Sequence, residues 1–544
     1  MCFLIVIPAR GGSKGIPGKN IRLMNGRPLI EYAINNAKSL KKSINVDIVV
    51  DTDDEEIAEV VGDYGIQVIM RPDELARDDI TLDPVIYHAV IEAERNNGKK
   101  YDVVITLQVT SPTLKSITLK RAIDYFSKNK KDSLISVVNK PHLSWKDSKD
   151  GKEPEYSVRV NRQFLPAHYE ETGAFLITRR EFVSEKSRLG KNIDVYEIPE
   201  EQSVDIDTPV DWNVCEKILK RKKIILRADG EENLGMGHVY RCLSIALHLT
   251  GHEILFVTNK NFQLGVDKIK NSNFPFQLIE TENDFFQVIN DWHPDIVVND
   301  ILNTRPTYMK RMKLMVPRVI NFEDKGRGAD YADCVINALY QNEIGANRFN
   351  GFPYYFIRDE FLTAKPKEFS EQVNNVVVLF GGSDPSNLTK KTYTALKKIS
   401  VEFPDVEYHI ITGFGYAHKD EIVDSPKHRI FVHNDVKRVS KYMKNADMAI
   451  TSQGRTIYEL ACMGIPSIVL AQNIRETEHN FANVRNGYIN LGIGKRQSVD
   501  TIKSTVEWLM KTPNVRKEMH DILLEKDFTK GQQRVIDLIL GESS

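Results

Sequence analysis

IVIPARGGSKGIPGKN, residues 5–20, starts as an apolar run, breaks at Pro8 and continues as a loop with four glycines, two lysines and one arginine. An apolar strand running into a glycine-rich basic loop is how α/β proteins present backbone N–H groups to phosphate. Gly11, Gly12, Gly15 and Gly18 let the backbone approach an anion, and Arg10, Lys14 and Lys19 neutralise it. This interleaving argues against a merely flexible basic turn. The Walker A pattern G-x-x-x-x-G-K-[ST] fails, because Ser13 stands five residues before Gly18 and Asn20 follows Lys19. The stretch predicts a phosphate loop of another type.

Outward from this loop the pattern alternates. Pro28 to Ala37 has helical spacing, Val46 to Val50 reads as a buried strand ending in Asp51-Thr52-Asp53, Asp54 to Tyr64 as a helix and Gly65 to Met70 as a strand. Tyr101 to Val109 is a further strand, ending in Thr110-Ser111-Pro112, and Gly173 to Thr178 another. Alternation of this kind predicts a parallel, wound α/β sheet with ligands at the carboxyl ends of its strands. Lys128 to Gln163 is polar and irregular, either a surface loop or a lid or oligomer-forming excursion. SVDIDTPVD (203–211) precedes a helix at Trp212 to Leu219, and the short basic run Lys220 to Lys223 reads as a solvated connector. At Ile224 the pattern restarts. IILRAD is a strand, Gly235-Met236-Gly237-His238 opens a helix, and strands at 254–258, 294–299, 317–322, 375–380, 408–412 and 448–451 follow. The second half reads as two successive α/β units joined near Asp359 to Gln372, with a cleft between them.

A chain of 544 residues implies two to four domains. Hydrophobic residues at 41% and charged ones at 27% are ordinary for a globular protein. Lys plus Arg number 74 against 75 Asp plus Glu, which gives no electrostatic case for nucleic acid or membrane as the main partner. Five scattered cysteines without a C-x-x-C pair suggest reduced thiols. The start, MCFLIVIPAR, lacks the basic region and length of a signal peptide, and no segment reaches the apolar length of a membrane span. A cytoplasmic location is expected.

Asp205 and Asp207, two apart on a strand end, would point to one side and could hold Mg²⁺ through oxygen ligands. The bland alternative, a helix N-cap before Pro209, needs only Asp207 or Thr208 and so accounts for one carboxylate. IPARGGSKGIPGKN, RPDELARDD (71–79), LQVTSP (107–112), RQFLP (162–166), TGAFLI and DIDTPVD together resemble the CMP-sialic acid synthetases. These are cytidylyltransferases that join CTP to a nine-carbon 2-keto sugar acid. The resemblance spans Met1 to about Lys220. It implies a Rossmann-like nucleotidyltransferase sheet, a dimer-forming excursion and dependence on Mg²⁺. It also implies that Arg10, Gly11, Ser13, Lys19, Asn20, Arg71 and Ser111 bind CTP. Gln108 and Arg162 would take the sugar acid, and Asp205 and Asp207 the metal. Val109, Leu114 and Thr172 stand where the family usually has Pro, Arg and Asn, on the expected sugar side.

Gly235-x-Gly237-His238 stops short of G-x-G-x-x-G, because Tyr240 holds the last position. Arg227-Ala228-Asp229, GMGHVYRCL, FGGSDP and the 454–459 loop-helix resemble the nucleotide-sugar hydrolase of pseudaminic acid biosynthesis, over roughly Lys223 to Asp537. That family has a two-lobed glycosyltransferase-B-like fold and cleaves UDP from an amino sugar. The resemblance implies His238 as general base or water-orienting residue, Gly381, Gly382 and Ser383 as backbone donors to diphosphate, and Gly237, Thr456 and Glu459 at the UDP-sugar. Gly454-Arg455-Thr456 and Ala471-Gln472-Asn473-Ile474 depart from the usual G-S-T and A-E-N-Q. A glycosyltransferase, or a non-catalytic nucleotide-sugar-binding module, remain alternatives for this half. The expected domains are 1–221, 222–365 and 366–544.

Overall fold

The computed structural model describes residues 1–149, 151–230, 236–341 and 343–542. It divides into two compact units, Met1–Arg221 and Lys222–Ser544.

In the first unit the strand Phe3–Pro8 lies at the heart of a seven-stranded sheet. Its residues do not alternate in polarity because both faces are covered. Phe3, Ile5 and Ile7 enter one core with the helices Leu29–Leu40 and Ser116–Lys128. Leu4 and Val6 enter a second core with the helix Leu82–Asn97. From one edge the strands run Ile193–Glu197, Ser133–Asn139, Tyr169–Arg179, Val103–Leu107, Phe3–Pro8, Val46–Thr52 and Gln67–Met70. The sheet is mixed, where the sequence predicts a parallel one: Tyr169–Arg179 runs antiparallel to both of its neighbours. A register shift between Glu171 and Leu176 places Gly173 at φ +69°, a left-handed conformation suited to glycine.

Ser133–Asn139 is a core strand concealed inside the stretch read as irregular; the polar residues on either side mask SLISVVN. The same stretch carries an exposed hairpin, Trp145–Ser148 with Gly151–Pro154. Asp205 and Asp207 lie outside any strand, which corrects their expected place on a strand end. The helix Pro209–Leu219 is capped by Thr208, whose side chain accepts from Asp211 N–H in a reciprocal capping box. Neither Asp205 nor Asp207 is needed for that cap.

The second unit has two lobes, each built on a parallel sheet, in a glycosyltransferase-B-like arrangement. The first sheet has seven strands, ordered Phe276–Ile279, Glu253–Asn259, Lys223–Ala228, Ile296–Asp300, Arg318–Phe322, Cys334–Asn337 and Arg348–Asn350. The second has six, ordered Ile430–Asn434, Glu407–Thr412, Asn375–Leu379, Met448–Ser452, Ser467–Ala471 and Tyr488–Ile493. The connector between the lobes is fastened to the second by Tyr355, stacked on Tyr458 with ring centroids 4.3 Å apart. The last helix, Gly531–Leu540, leaves the second lobe. Its Val535, Ile536 and Ile539 complete the first lobe's core, and Arg318 Nη2 donates to Leu538 O at 2.7 Å. Among the described residues no helix is long and apolar enough to cross a membrane.

Candidate active sites

In the first unit the glycine-rich loop leaves the sheet at Pro8 and folds back on itself. Asn20 Nδ2 donates to Arg10 O at 2.8 Å, closing the loop. The loop is wedged between two acid-bearing segments. On one side Gly11 N–H donates to Asp53 Oδ1 at 3.1 Å, and a Cβ at Gly11 would sit 2.2 Å from Asp54 Oδ2. On the other, a Cβ at Gly15 would sit 2.3 Å from Asp207 O. Lys19 Nζ donates to Ile206 O at 2.5 Å and lies 3.9 Å from Asp207 Oδ1. Gly15 is thus fixed by close approach of backbone and Gly11 by the Asp54 side chain, constraints that the sequence registers only as glycine content.

The loop borders a cavity of about 340 Å³ lined by Arg10, Ser13, Lys19, Asn20, Arg71, Gln108 and Asp207 among others. Seven of the expected residues therefore meet at one place. Gly11 lies beside the cavity, Ser111 is buried with its hydroxyl unpartnered, and Asp205 sits two residues before Asp207. Asp205 Oδ1 is buried without a hydrogen-bond partner, and burial, helped by the neighbouring Asp207 charge, raises its pKa. A Cβ at Gly173 would lie 3.2 Å from Gln108 Nε2 and 3.6 Å from Asp205 Oδ2, so the bulged glycine leaves room for both. Arg162 is the exception. It stands exposed on the turn Arg162–Phe164, 4.0 Å from Glu200, and does not line the cavity.

Two carboxylates that the sequence reading missed organise the cations here. Asp51, fully buried, accepts from Arg71 Nε at 2.5 Å; burial raises its pKa although Arg71 opposes the shift. Asp78 holds Arg10 Nη1 at 2.9 Å and Lys14 Nζ at 2.5 Å. Both acids stand within stretches already singled out, the strand end Asp51-Thr52-Asp53 and RPDELARDD, and that was the available signal.

In the second unit a cavity of about 680 Å³ lies between the lobes. Gly237, His238, Gly381, Gly382, Ser383, Thr456 and Glu459 all line it. Gly235 lies outside the described residues. His238 is at the start of the helix Gly237–His248, and its Nδ1 lies 2.5 Å from Asp300 Oδ1 at the end of the strand Ile296–Asp300. With Nδ1 bonded to the carboxylate, Nε2 is the imidazole nitrogen left for proton transfer. Burial alone would raise the Asp300 pKa; Arg241 and His238 outweigh it and hold the carboxyl well below the usual range.

Across the cavity Gly381 takes φ +83° and Asp384 φ +45°, and Asp384 caps the helix Leu388–Ile399 by accepting from Leu388 and Thr389 N–H. A Cβ at Gly413 would lie 2.4 Å from Gly382 O, so this loop too is built on close approach. Glu459 differs from expectation in one respect. Both of its oxygens are already engaged by Arg358, at 2.8 and 2.9 Å, which staples the interlobe connector to the second lobe. Glu476 on the same wall accepts from Gln472 N–H at 2.8 Å, and burial pushes its pKa up to about 7.

A basic, glycine-built loop at a strand-end cavity with paired acids beside it is an α/β arrangement suited to a phosphate-bearing ligand. Residues 4–231 match the model of the cytidylyltransferase family. The CMP-N,N'-diacetyllegionaminic acid synthase of Legionella pneumophila is 33% identical over 238 residues, covering 40% of this chain and 97% of that protein. An uncharacterised protein of Methanocaldococcus jannaschii is 30% identical over 279 residues, or 47% of this chain, and the chain spans 57% of that relative's length. Among solved structures, MurG of Acinetobacter baumannii is 16% identical with a TM-score of 0.44, over 59% of this chain and 99% of that one. The chain belongs to the cytidylyltransferase family.

Proposed function

We propose that the first unit transfers CMP from CTP to a nine-carbon 2-keto sugar acid of the sialic, legionaminic or pseudaminic type, releasing pyrophosphate. The observation that carries this reading is the convergence of Arg10, Ser13, Lys19, Asn20, Arg71, Gln108 and Asp207 on one cavity. The likeness to a legionaminic acid synthase over nearly the whole of that enzyme supports the acceptor class. Asp205 and Asp207 would hold Mg²⁺. The fit rests on Asp205 Oδ1, a buried oxygen without a partner, next to a second carboxylate; the nucleotide's oxygens would complete the coordination. When bound, the ion neutralises charge at the α-phosphate and on departing pyrophosphate.

The remaining steps belong to the chain. Arg10 and Lys19 hold the phosphates in line with the acceptor. Arg71, aimed by Asp51, orients the nucleotide, and Gln108 the sugar acid. The acceptor's 2-hydroxyl oxygen bonds to the α-phosphorus, the α–β P–O bond breaks, pyrophosphate takes the electron pair, and the hydroxyl proton passes to water. Exposed Trp145, Phe164 and Tyr169 around the hairpin support a homodimer through this unit, and use of CTP together with five free thiols supports a cytoplasmic location.

In the second unit His238, oriented by Asp300, would act as general base in hydrolysis of a UDP-amino-sugar. Water oxygen bonds to the anomeric carbon, its proton goes to His238 Nε2, and the bond to UDP breaks with the electron pair on UDP. Pyrophosphate release with CTP, Mg²⁺ and a panel of sialic, legionaminic and pseudaminic acids tests the first activity; no release with any of them refutes it. UDP release from UDP-amino-sugars without an acceptor tests the second. Release only when an acceptor is added makes this unit a glycosyltransferase. Binding of UDP without turnover makes it a nucleotide-sugar-binding module.

A further inference from the structure

The hydrogen bonding of Asp300 goes beyond a simple acid–histidine pair. Its Oδ1 serves two donors at once, His238 Nδ1 at 2.5 Å and Arg241 Nη2 at 2.5 Å. Its Oδ2 takes Arg241 Nε at 2.6 Å. Arg241 Nη1 then reaches Glu323 Oε1 at 2.9 Å. The guanidinium is buried, 4.6 Å from the Phe322 ring centroid, between two buried acids. Glu323 itself holds φ +51°, a left-handed conformation uncommon for a long side chain, and lines the same cavity. A buried arginine between two carboxylates adds little net stability compared with apolar packing, so its retention beside a reacting group calls for a chemical account.

We propose that Arg241 is a positioning residue for His238: it fixes the plane of the Asp300 carboxylate and shares its charge, so that His238 stands as a neutral base with a bare Nε2. This rests on the reading of His238 as a general base. A buried aspartate facing an imidazole on its own would stabilise the imidazolium strongly, and an imidazolium has no lone pair to receive a proton. A guanidinium bonded to both oxygens of that aspartate removes much of the stabilisation. It also prevents the carboxylate from rotating, which keeps Oδ1 on Nδ1–H and selects the tautomer. Glu323 draws the guanidinium away from Asp300 and so moderates its effect.

The other groups around His238 act less directly. On its own helix, Cys242 Sγ lies 3.8 Å from Asp300 Oδ2, and burial keeps the thiol protonated. From the second lobe, Arg455 Nη1 donates to Gly237 O at 3.2 Å. Arg475, Glu476 and His479 line the same cavity from the second lobe's loop, and Arg475 Nη2 donates to Glu323 O at 2.9 Å.

The test is a titration of His238 in the full chain by NMR, with ¹³C-labelled histidine and assignment through His238→Gln. It needs no turnover, so it stands whether or not UDP is released. Arg241→Gln should raise the His238 midpoint by about one pH unit, with Arg241→Lys giving a smaller rise. Where UDP release is measurable, the acid limb of kcat/KM should move by the same amount. A midpoint within about 0.2 unit of wild type in a folded Arg241→Gln protein, judged against the roughly one-unit effect expected, overturns the proposal. If Arg241→Gln does not fold, Glu323→Gln decides. Releasing Arg241 from its second anion tightens its hold on Asp300 and must lower the midpoint; a rise, or no movement, overturns the proposal. A wild-type protein that releases no UDP while the titration behaves as described refutes the hydrolase reading alone.

Discussion

Gly15→Ala separates catalytic geometry from folding in the first unit. The backbone at Gly15 is not left-handed, so alanine brings no backbone strain there, but its Cβ would lie 2.3 Å from Asp207 O. Ordinary carbon–oxygen contact begins near 3.4 Å, so loop and acid segment must part by about 1 Å. The atom in the way is backbone, one residue beyond the Ile206 carbonyl that holds Lys19, so the displacement is delivered to Lys19 and to the Asp205–Asp207 pair together. Overpacking of this kind costs about 1–3 kcal/mol, or about 2–4 °C of melting temperature per kcal/mol for a unit of this size. A shift of about 1 Å in the reacting groups costs about 10²-fold in rate. Gly12→Ala is the matched control, because a Cβ there meets nothing within 4 Å. Initial rates of pyrophosphate release and CTP affinity by calorimetry, measured alongside thermal melts, check the contrast. If Gly15→Ala turns over within about threefold of Gly12→Ala, against the 10²-fold loss expected, the loop does not present CTP in the way described.

Three further outcomes are expected. Arg10→Ala removes an exposed, solvent-screened ion pair with Asp78; it should melt like wild type yet lose at least about 10²-fold in pyrophosphate release, and unchanged release sinks the role given to Arg10. EDTA should stop that release and Mg²⁺ restore it, while Asp205→Asn raises the Mg²⁺ concentration for half-maximal rate at least about tenfold; an unaltered Mg²⁺ dependence would count against the metal ligands named. His479 is buried and its pKa is lowered to about 4, so the folded state disfavours its protonation. Its contribution is full above about pH 6.5 and is lost as pH falls to 4, roughly 3 kcal/mol at most. His479→Gln keeps a donor for Gln453 O and should flatten the fall in urea midpoint across that window. Glu476, raised to about 7, works in the opposite sense between pH 4.5 and 7, so the informative quantity is the difference between variant and wild type; equal slopes would refute the assignment to His479.

Much of this architecture was legible because local chemistry and tertiary role coincide. The five-residue apolar run before Pro8 reads as a strand covered on both faces, which it is. The helix start at Asp54 was readable, whereas the cap of the helix Pro209–Leu219 was narrowed only to Asp207 or Thr208 and the structure chose Thr208. The strand Ser133–Asn139 was hidden because seven residues between polar flanks carry too little periodicity to stand out. The antiparallel direction of Tyr169–Arg179 was hidden because an apolar strand reads the same in both directions.

By itself, the sequence determined the α/β class, the restart at Ile224, the basic glycine-rich loop at 5–20 and seven of the residues that line each cavity. Those features depend on composition and spacing along the chain, which local physics converts directly into strands, helices and loops. Only the tertiary structure decided which acid serves which basic side chain. Asp51 reaches Arg71 across 20 residues, Arg10 meets Asp78 across 68, His238 meets Asp300 across 62, and Arg358 takes Glu459 across 101. Charge pairing acts through space, and neighbouring strands of a wound sheet bring together side chains whose separation in sequence carries no trace of the contact.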